Sequence, residues 1–274
     1  MVRRSDPLYI FVSGANGRMG KQIISLVVEN PGLSLAGAVE HPDCPVLGAD
    51  AGLNAGTKQI SVSITSDLKR SLEKRKGVVI DFSSVESTLE NIKRAVDYST
   101  PMVIGTTGFD KDQLGLIHEA SQKIPMVFTP NMSVGMSVTF KLVEEAARVL
   151  KDDFDIEVFE IHHRNKVDAP SGTAMKLARL ICESTGRKFP EALKSHREGK
   201  TGVRTKEEVG MQVLRGGDVV GEHTVYFCGS GERLEIKHVA TSRATFAAGA
   251  IRSAKWVFSQ RPGLYDMHHI LGMK

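Results

Sequence analysis

Leu8-Tyr9-Ile10-Phe11-Val12-Ser13-Gly14-Ala15-Asn16-Gly17-Arg18-Met19-Gly20 is the stretch that decides the fold. Residues 8–13 form a short apolar run that reads as a buried strand. From Arg18 to Asn30, Met19, Ile23, Leu26 and Val27 fall on one helical face, and Pro31-Gly32 stops the helix. Between strand and helix stands G-x-x-G-x-x-G, a variant of the commoner dinucleotide spacing. In that context glycines permit a tight turn, close approach of backbone to a pyrophosphate, and close packing of helix on strand. Gly14, Ala15, Asn16, Gly17, Arg18, Met19 and Gly20 are therefore candidate cofactor-binding residues. Glu40 ends the second strand pattern, 33–40, where an acid can bind the adenosine ribose hydroxyls. Arg18 and His41 can approach a ribose 2′-phosphate, which would favour NADP; each can equally be a solvated surface residue. The competing reading, a plain glycine-rich turn, leaves the preceding strand and the matching acid unexplained.

Outward from this stretch, strand and helix patterns alternate. Runs at 78–82, 102–105 and 126–128 read as strands, and 85–98 and 111–123 as helices. Repeated strand–helix–strand units imply a parallel sheet covered on both faces. Beyond 133 the pattern changes to a long amphipathic helix at 134–150, a strand at 154–162 and a helix at 173–184. Three strand-like runs follow at 209–214, 219–227 and 233–238, with Gly216-Gly217-Asp218 and Gly229-Ser230-Gly231 read as hairpin turns between them. Residues 185–206 are polar and are expected to form a mobile loop. Residues 244–258 return to helix. The two loops Gly105-Thr106-Thr107-Gly108 and Thr129-Pro130-Asn131-Met132-Ser133 leave C-terminal strand ends, where open parallel sheets bind ligands. They are candidates for the nicotinamide half of the site, or structural turns.

Composition excludes several classes. The chain has 274 residues and a net charge of only +4, with 6% aromatics, which does not suit nucleic-acid binding. No apolar run approaches a membrane span, and the opening residues lack the apolar core of a signal peptide. Cys44, Cys182 and Cys228 are odd in number and far apart, as expected of reduced thiols in a cytoplasmic protein.

The chemistry concentrates in His162-His163-Arg164-Asn165-Lys166-Val167-Asp168-Ala169-Pro170-Ser171-Gly172-Thr173-Ala174. Ser171-Gly172-Thr173 opens a helix, and a helix N-terminus holds anions. Lys166 adds an ammonium suited to donating a proton beside a carboxylate. His162 and His163 titrate near neutrality. Structural readings compete: adjacent histidines can end a buried strand, and S-G-T can be an ordinary cap. No metal is expected, because neighbouring strand side chains point to opposite faces and no Cys, Asp or Glu stands at a ligand spacing nearby.

These motifs resemble the 4-hydroxy-tetrahydrodipicolinate (dihydrodipicolinate) reductase family of the bacterial and plant diaminopimelate–lysine route. The resemblance rests on 14–20, on Glu160-Ile161-His162 through Ala174, and on Gly105–Gly108. It extends to Pro130–Gly135, Val220-Gly221-Glu222-His223-Thr224 and Gly231–Ile236, and so spans nearly the whole chain in order. It implies an α/β protein with an N-terminal Rossmann-like parallel-sheet domain, 1–132, completed by 243–274. A substrate and oligomerisation domain of α+β type with an open mixed sheet, 133–242, makes up the rest. It implies reduction of a small cyclic dicarboxylate, a homotetramer, and use of NADPH with NADH also accepted. Such members often carry Arg after the strand-two acid; here His41 stands there. The resemblance makes His162 the acid–base residue and Lys166 the proton donor. His163 orients substrate, Ser171, Gly172 and Thr173 hold a carboxylate, and Arg243 approaches from the junction between domains. Two other readings are a different Rossmann oxidoreductase acting on an aspartate-derived metabolite and a non-catalytic nicotinamide sensor. The 162–173 string argues against the first, and Lys166 with the paired histidines against the second.

Overall fold

A computed structural model describes residues 6–273; the first five residues, read above for a leader, lie outside them. In chain order the elements begin β1 (Leu8–Ser13), α1 (Arg18–Glu29), β2 (Leu33–Val39), α2 (Ala51–Asn54), β3 (Ile64–Thr65) and α3 (Leu68–Leu72). There follow β4 (Gly77–Asp81), α4 (Val85–Asp97), β5 (Met102–Ile104), α5 (Lys111–Ser121), β6 (Pro125–Phe128) and α6 (Val134–Leu150). Then come β7 (Asp155–His162), α7 (Gly172–Thr185), β8 (Leu193–Lys194), β9 (Val209–Arg215) and β10 (Gly221–Cys228). The chain ends with β11 (Arg233–Ala240), α8 (Ala244–Val257), β12 (Gly263–Tyr265) and α9 (Met267–Leu271). It folds as two compact units: one runs up to Ser133 and resumes at Arg243, and the other is Val134–Ser242. The first unit thus extends one residue past the boundary drawn from the sequence.

The first unit is a seven-stranded sheet in the order β12-β6-β5-β4-β1-β2-β3, with every pairing parallel. Its central strands are continuous apolar runs because both faces are covered: Ile10, Phe11, Val12, Val78, Val79 and Ile80 are fully buried. The order reverses between β1 and β4, so their C-terminal ends splay into the crevice where such sheets bind ligands. β12 escapes pattern reading because three residues are too few to show a period.

The second unit is a mixed sheet, β11-β10-β7-β9-β8. β7 pairs parallel with β9 and antiparallel with β10. The 216–218 turn is therefore not a hairpin: it carries the chain past the end of β7, and Gly216 N–H bonds to the His162 carbonyl on the way. Helices α6 and α7 cover one face, packing Met136, Phe140, Leu177 and Ile181 against Ile156, Val158, Val209, Met211 and Phe227. The alternation Val209, Met211 thus points into the core. The opposite face carries Phe159, Ile161, Gln212 and Leu214 with Thr224 and Val239. The segment expected to be a mobile loop is pinned. Arg197 bonds Glu157 and Glu208, and Arg204 bonds Asp155, Glu157 and the carbonyls of Ile156 and Glu208. Among the described residues no helix is long and apolar enough to cross a membrane, and the three cysteines form no disulfide.

Candidate active site

In the first unit the glycine loop is built as its spacing requires. Gly14 has φ +77°, and a Cβ there would stand 2.4 Å from the Phe82 carbonyl oxygen. A Cβ on Gly20 would stand 2.0 Å from the Gly14 carbonyl oxygen, so only glycine lets α1 start against the turn. Gly14 and Ala15 donate their N–H groups to the Val39 carbonyl. Glu40 accepts the Asn16 N–H at 2.8 Å and the His41 N–H at 3.1 Å, so this acid first of all holds the loop. A cleft of about 470 Å³ opens beside it, lined among others by Gly14, Glu40, His41, Ser83 and Arg94.

The N-terminus of α1 lacks what most other helices here have. Asp50, Asp67, Ser84, Asp110, Ser171 and Asp266 cap their helices with side-chain oxygens. Gly17 makes no such cap, α1 has no acid in its first turn, and Arg243 at the start of α8 makes none either. First-turn N–H groups need an acceptor from outside the helix, so both ends suit an anion. α1 packs on α8. Neither Arg18 nor Arg243 makes an ion pair among the described residues. The Arg243 guanidinium is held below its ordinary range, first by burial and then by the Arg18 charge. Arg243 thus opens the returning segment of the unit that holds the glycine loop, as the domain boundary drawn from the sequence had it. These are features a nicotinamide dinucleotide fits.

The other loops of this unit divide. Thr106 is 6% exposed and turns inward to Asp81, while Thr107 and Gly108 are exposed. Thr129 is buried and accepts from Asn131 N–H. Pro130 is exposed, and Met132 is core, its carbonyl so close to α8 that a Cβ on Gly249 would meet it at 1.7 Å. Sequence reading missed Asp81 at the end of β4. Fully buried, it accepts from Ser83 N–H and Oγ, Thr88 Oγ1, Thr106 Oγ1 and Asn91 Nδ2, and Asn91 also donates to Ser13. It ties together the tips of β1, β4 and β5.

In the second unit β7 alternates strictly, which puts Glu160 and His162 on the helix-covered face. Glu160 is fully buried and His162 is 9% exposed. Glu160 Oε2 and His162 Nδ1 lie 2.5 Å apart, a close ion-pair contact that is not a well-directed hydrogen bond. The other oxygen of Glu160 accepts the Ser171 N–H at 2.7 Å and Arg215 Nη2 at 3.3 Å. Ser171 Oγ caps α7 through the Ala174 N–H and lies 3.2 Å from His223 Nε2. The His162 and His223 rings meet edge to face, with centroids 5.2 Å apart. Burial pushes the Glu160 carboxyl up, but His162 and the Ser171 N–H outweigh it and bring the group down to about 2. His223 is lowered to about 3, by burial first and by the His162 charge second, so it is neutral at physiological pH.

Glu160, His162 and His223 offer ligand atoms within 4.8 Å of one another. The sequence reading, which found no carboxylate at a ligand spacing, overlooked Glu160 two residues before His162 on the same face. Two ligands at about 2.0–2.1 Å from a tetrahedral zinc stand roughly 3.3 Å apart. The 2.5 Å contact is too short for that, and the cluster reads as an ion pair within a polar network.

Beyond the strand, Lys166 Nζ bonds both oxygens of Asp168, at 2.7 and 2.9 Å. Burial raises and Lys166 more than offsets it, leaving the Asp168 carboxyl below its ordinary value. Arg215, also missed, reaches from Glu160 to the Asp168 carbonyl. At the start of α7 Gly172 is exposed and Thr173 half-buried, whereas Ser171 is 2% exposed and engaged internally. His163 is half-buried just past the strand end.

Family models described as dihydrodipicolinate reductase match the chain over residues 8–132 (N-terminus) and 135–271 (C-terminus). The chain is 50% identical to the 4-hydroxy-tetrahydrodipicolinate reductase of Syntrophotalea carbinolica over 97% of its length and 99% of the relative. It is 49% identical to that of Anaeromyxobacter dehalogenans strain 2CP-C, over 97% of its own length and 98% of the relative. The fold matches the dipicolinate-bound dihydrodipicolinate reductase of Paenisporosarcina sp. TG-14 at a TM-score of 0.73 and 24% identity, covering 95% of this chain and 97% of the other. With both halves matched in order and half of all positions shared with full-length relatives, the chain belongs to the dihydrodipicolinate reductase family and is an oxidoreductase that reduces 4-hydroxy-tetrahydrodipicolinate.

Proposed function

We propose that the first unit binds NADPH, and NADH as well, and that the second binds the dicarboxylate substrate and delivers its proton. The observation that carries this reading is Lys166 and the Glu160–His162 couple standing beside the exposed start of α7. When bound, the nicotinamide supplies hydride. Loss of the 4-hydroxyl as water makes the net conversion consume one hydride and one proton, so the chain must hold a donor. Lys166, held in place by both oxygens of Asp168, donates that proton, and His162 serves as the acid–base group. His163 orients the substrate. Gly172 and Thr173, at the positive end of α7, receive a substrate carboxylate, and Ser171 acts as the cap that aims that turn. The relative from Paenisporosarcina carries dipicolinate, a ring dicarboxylate of the same kind.

At the other unit the first turn of α1 faces the pyrophosphate, with Arg18 and Arg243 supplying charge. Glu40 and His41 meet the adenosine ribose, and Thr107, Pro130 and Asn131 stand nearer the nicotinamide than the buried Thr106, Thr129 and Met132. Arg18 provides the only cation of the glycine loop for a 2′-phosphate, since His41 replaces the arginine expected after the acid. We place the enzyme in the cytoplasm, on its unpaired cysteines, and as a homotetramer. The sheet face away from α6 and α7 leaves Leu214 46% and Val239 43% exposed, an apolar surface that association would cover.

The test is cofactor oxidation followed by absorbance, with substrate made freshly from pyruvate and aspartate semialdehyde. Lys166→Ala should lower kcat about 100- to 10,000-fold, the usual worth of a general acid, with cofactor affinity unchanged. Near-normal turnover removes Lys166 from the mechanism.

A further inference from the structure

Glu160 enters that reading only as the neighbour of His162 and is given no role of its own, yet it is the most connected buried charge of the second unit. Burying a carboxylate is costly, and well-packed apolar residues often stabilise a core as well or better. A charge kept at 0% exposure therefore calls for another reason. We infer that Glu160 is a positioning residue of the reductase. This one carboxylate aims the His162 ring and also anchors the cap of the helix that receives the substrate carboxylate. The inference rests on the acid–base role proposed for His162.

The geometry supports both halves. One oxygen stands 2.5 Å from His162 Nδ1, which fixes the carboxylate on that side of the ring and leaves Nε2 on the other for proton transfer. Nε2 lies against the bare Cα of Gly221, where a Cβ would come within 2.9 Å. The His223 ring, 5.2 Å away and nearly perpendicular, limits rotation on the other side. The second oxygen takes the Ser171 N–H at 2.7 Å, one residue before the exposed first turn of α7. Arg215 extends the same anchor to the carbonyl of Asp168, the residue that holds Lys166. Ring nitrogen, helix start and ammonium are thus registered on a single group.

Glu160→Gln separates the two tasks. The amide keeps its size and an oxygen for the Ser171 N–H, but presents N–H to Nδ1 and so favours the opposite tautomer of His162. Expected is a fall in kcat of about 100- to 10,000-fold, as follows a carboxylate-to-amide change behind other catalytic histidines. The substrate KM and the cofactor Kd from fluorescence should stay close to those of the parent. Glu160→Ala, which also frees Ser171, should lose similar kcat and raise the substrate KM as well. In a His162→Ala background, Glu160→Gln should cost no further kcat, because it acts through the missing ring. Additive losses overturn this inference alone. Full kcat in His162→Ala overturns the acid–base role and the inference with it. If Glu160→Gln does not fold, Gly221→Ala crowds the same ring from the other side; a parental kcat there shows that the ring needs no fixed placement and refutes the inference.

Discussion

Acidification puts the buried cluster to a quantitative test. His223 titrates at about 3 in the folded chain against an ordinary 6.5. Below 6.5 the unfolded chain takes up a proton that the folded chain refuses, so stability falls with pH, by about 1.4 kcal/mol per pH unit for this one group. Integrated from pH 6.5 to 4.5, where the slope is still developing at the start, that amounts to about 2.3 kcal/mol, a sizeable part of the roughly 5–15 kcal/mol that holds a domain together. Glu160 has the opposite sense of charge and a different window. Its folded value of about 2 lies below the ordinary 4.5, so its stabilisation is complete above 4.5 and is lost only as pH falls from there towards 2. Between 6.5 and 4.5 the effect is therefore carried by histidines. His238, lowered by burial, adds in the same direction but is present in parent and variant alike. His223→Gln should flatten the stability–pH slope in that window by about 1.4 kcal/mol per unit. Cys182, fully buried in the core of the second unit, reports its unfolding. Urea midpoints are read from labelling of the Cys182 peptide, in a brief pulse at one fixed pH after equilibration. Parallel slopes in parent and variant would refute the claim that His223 is held neutral by its surroundings.

Three further outcomes follow from the geometry. Glu40→Ala should raise the KM for NADH and NADPH alike, because it removes the acceptor of the Asn16 N–H, whereas Arg18→Ala, which weakens the pyrophosphate end of both, should hurt NADPH more, only that cofactor offering a 2′-phosphate for the guanidinium to grip; equal losses in Arg18→Ala would mean it does not read the 2′-phosphate. Asp81→Ala removes the shared acceptor of the buried Thr88, Asn91 and Thr106 and of the half-buried Ser83, and each buried donor left unsatisfied costs about 1–3 kcal/mol, so the thermal midpoint and cofactor affinity should drop together, and an unchanged midpoint would count against the network. Light scattering should give four chains per particle, reduced by Leu214→Lys on the open sheet face; a single-chain mass in the parent at micromolar concentration would exclude the tetramer.

Much of the architecture was legible because it is local. The glycine spacing after Val12-Ser13, the helical face of Ile23 and Val27, and the Ser171-Gly172-Thr173 start of α7 all follow from backbone sterics, side-chain periodicity and capping, which act within a few residues. The alternation of β7 even carried the Glu160–His162 pairing in its i, i+2 spacing. What tertiary structure alone decided is what stands beside what. The turn at 216–218 reads as a hairpin until β7 is seen to lie between β9 and β10, because strand order depends on long-range packing. Only that order brings His223 opposite Glu160, and only the pairing of β7 with β9 brings Arg215 within reach of it. Asp81 looks like an ordinary strand-end residue until α4 and the loop after β5 close over it. Nothing in the sequence pairs Arg243 with Arg18, and only the packing of α8 on α1 sets the two charges near each other. Sequence dictates which groups are available and how each local element ends; the burial that makes a carboxylate, a histidine or an arginine chemically distinctive exists only once remote segments pack.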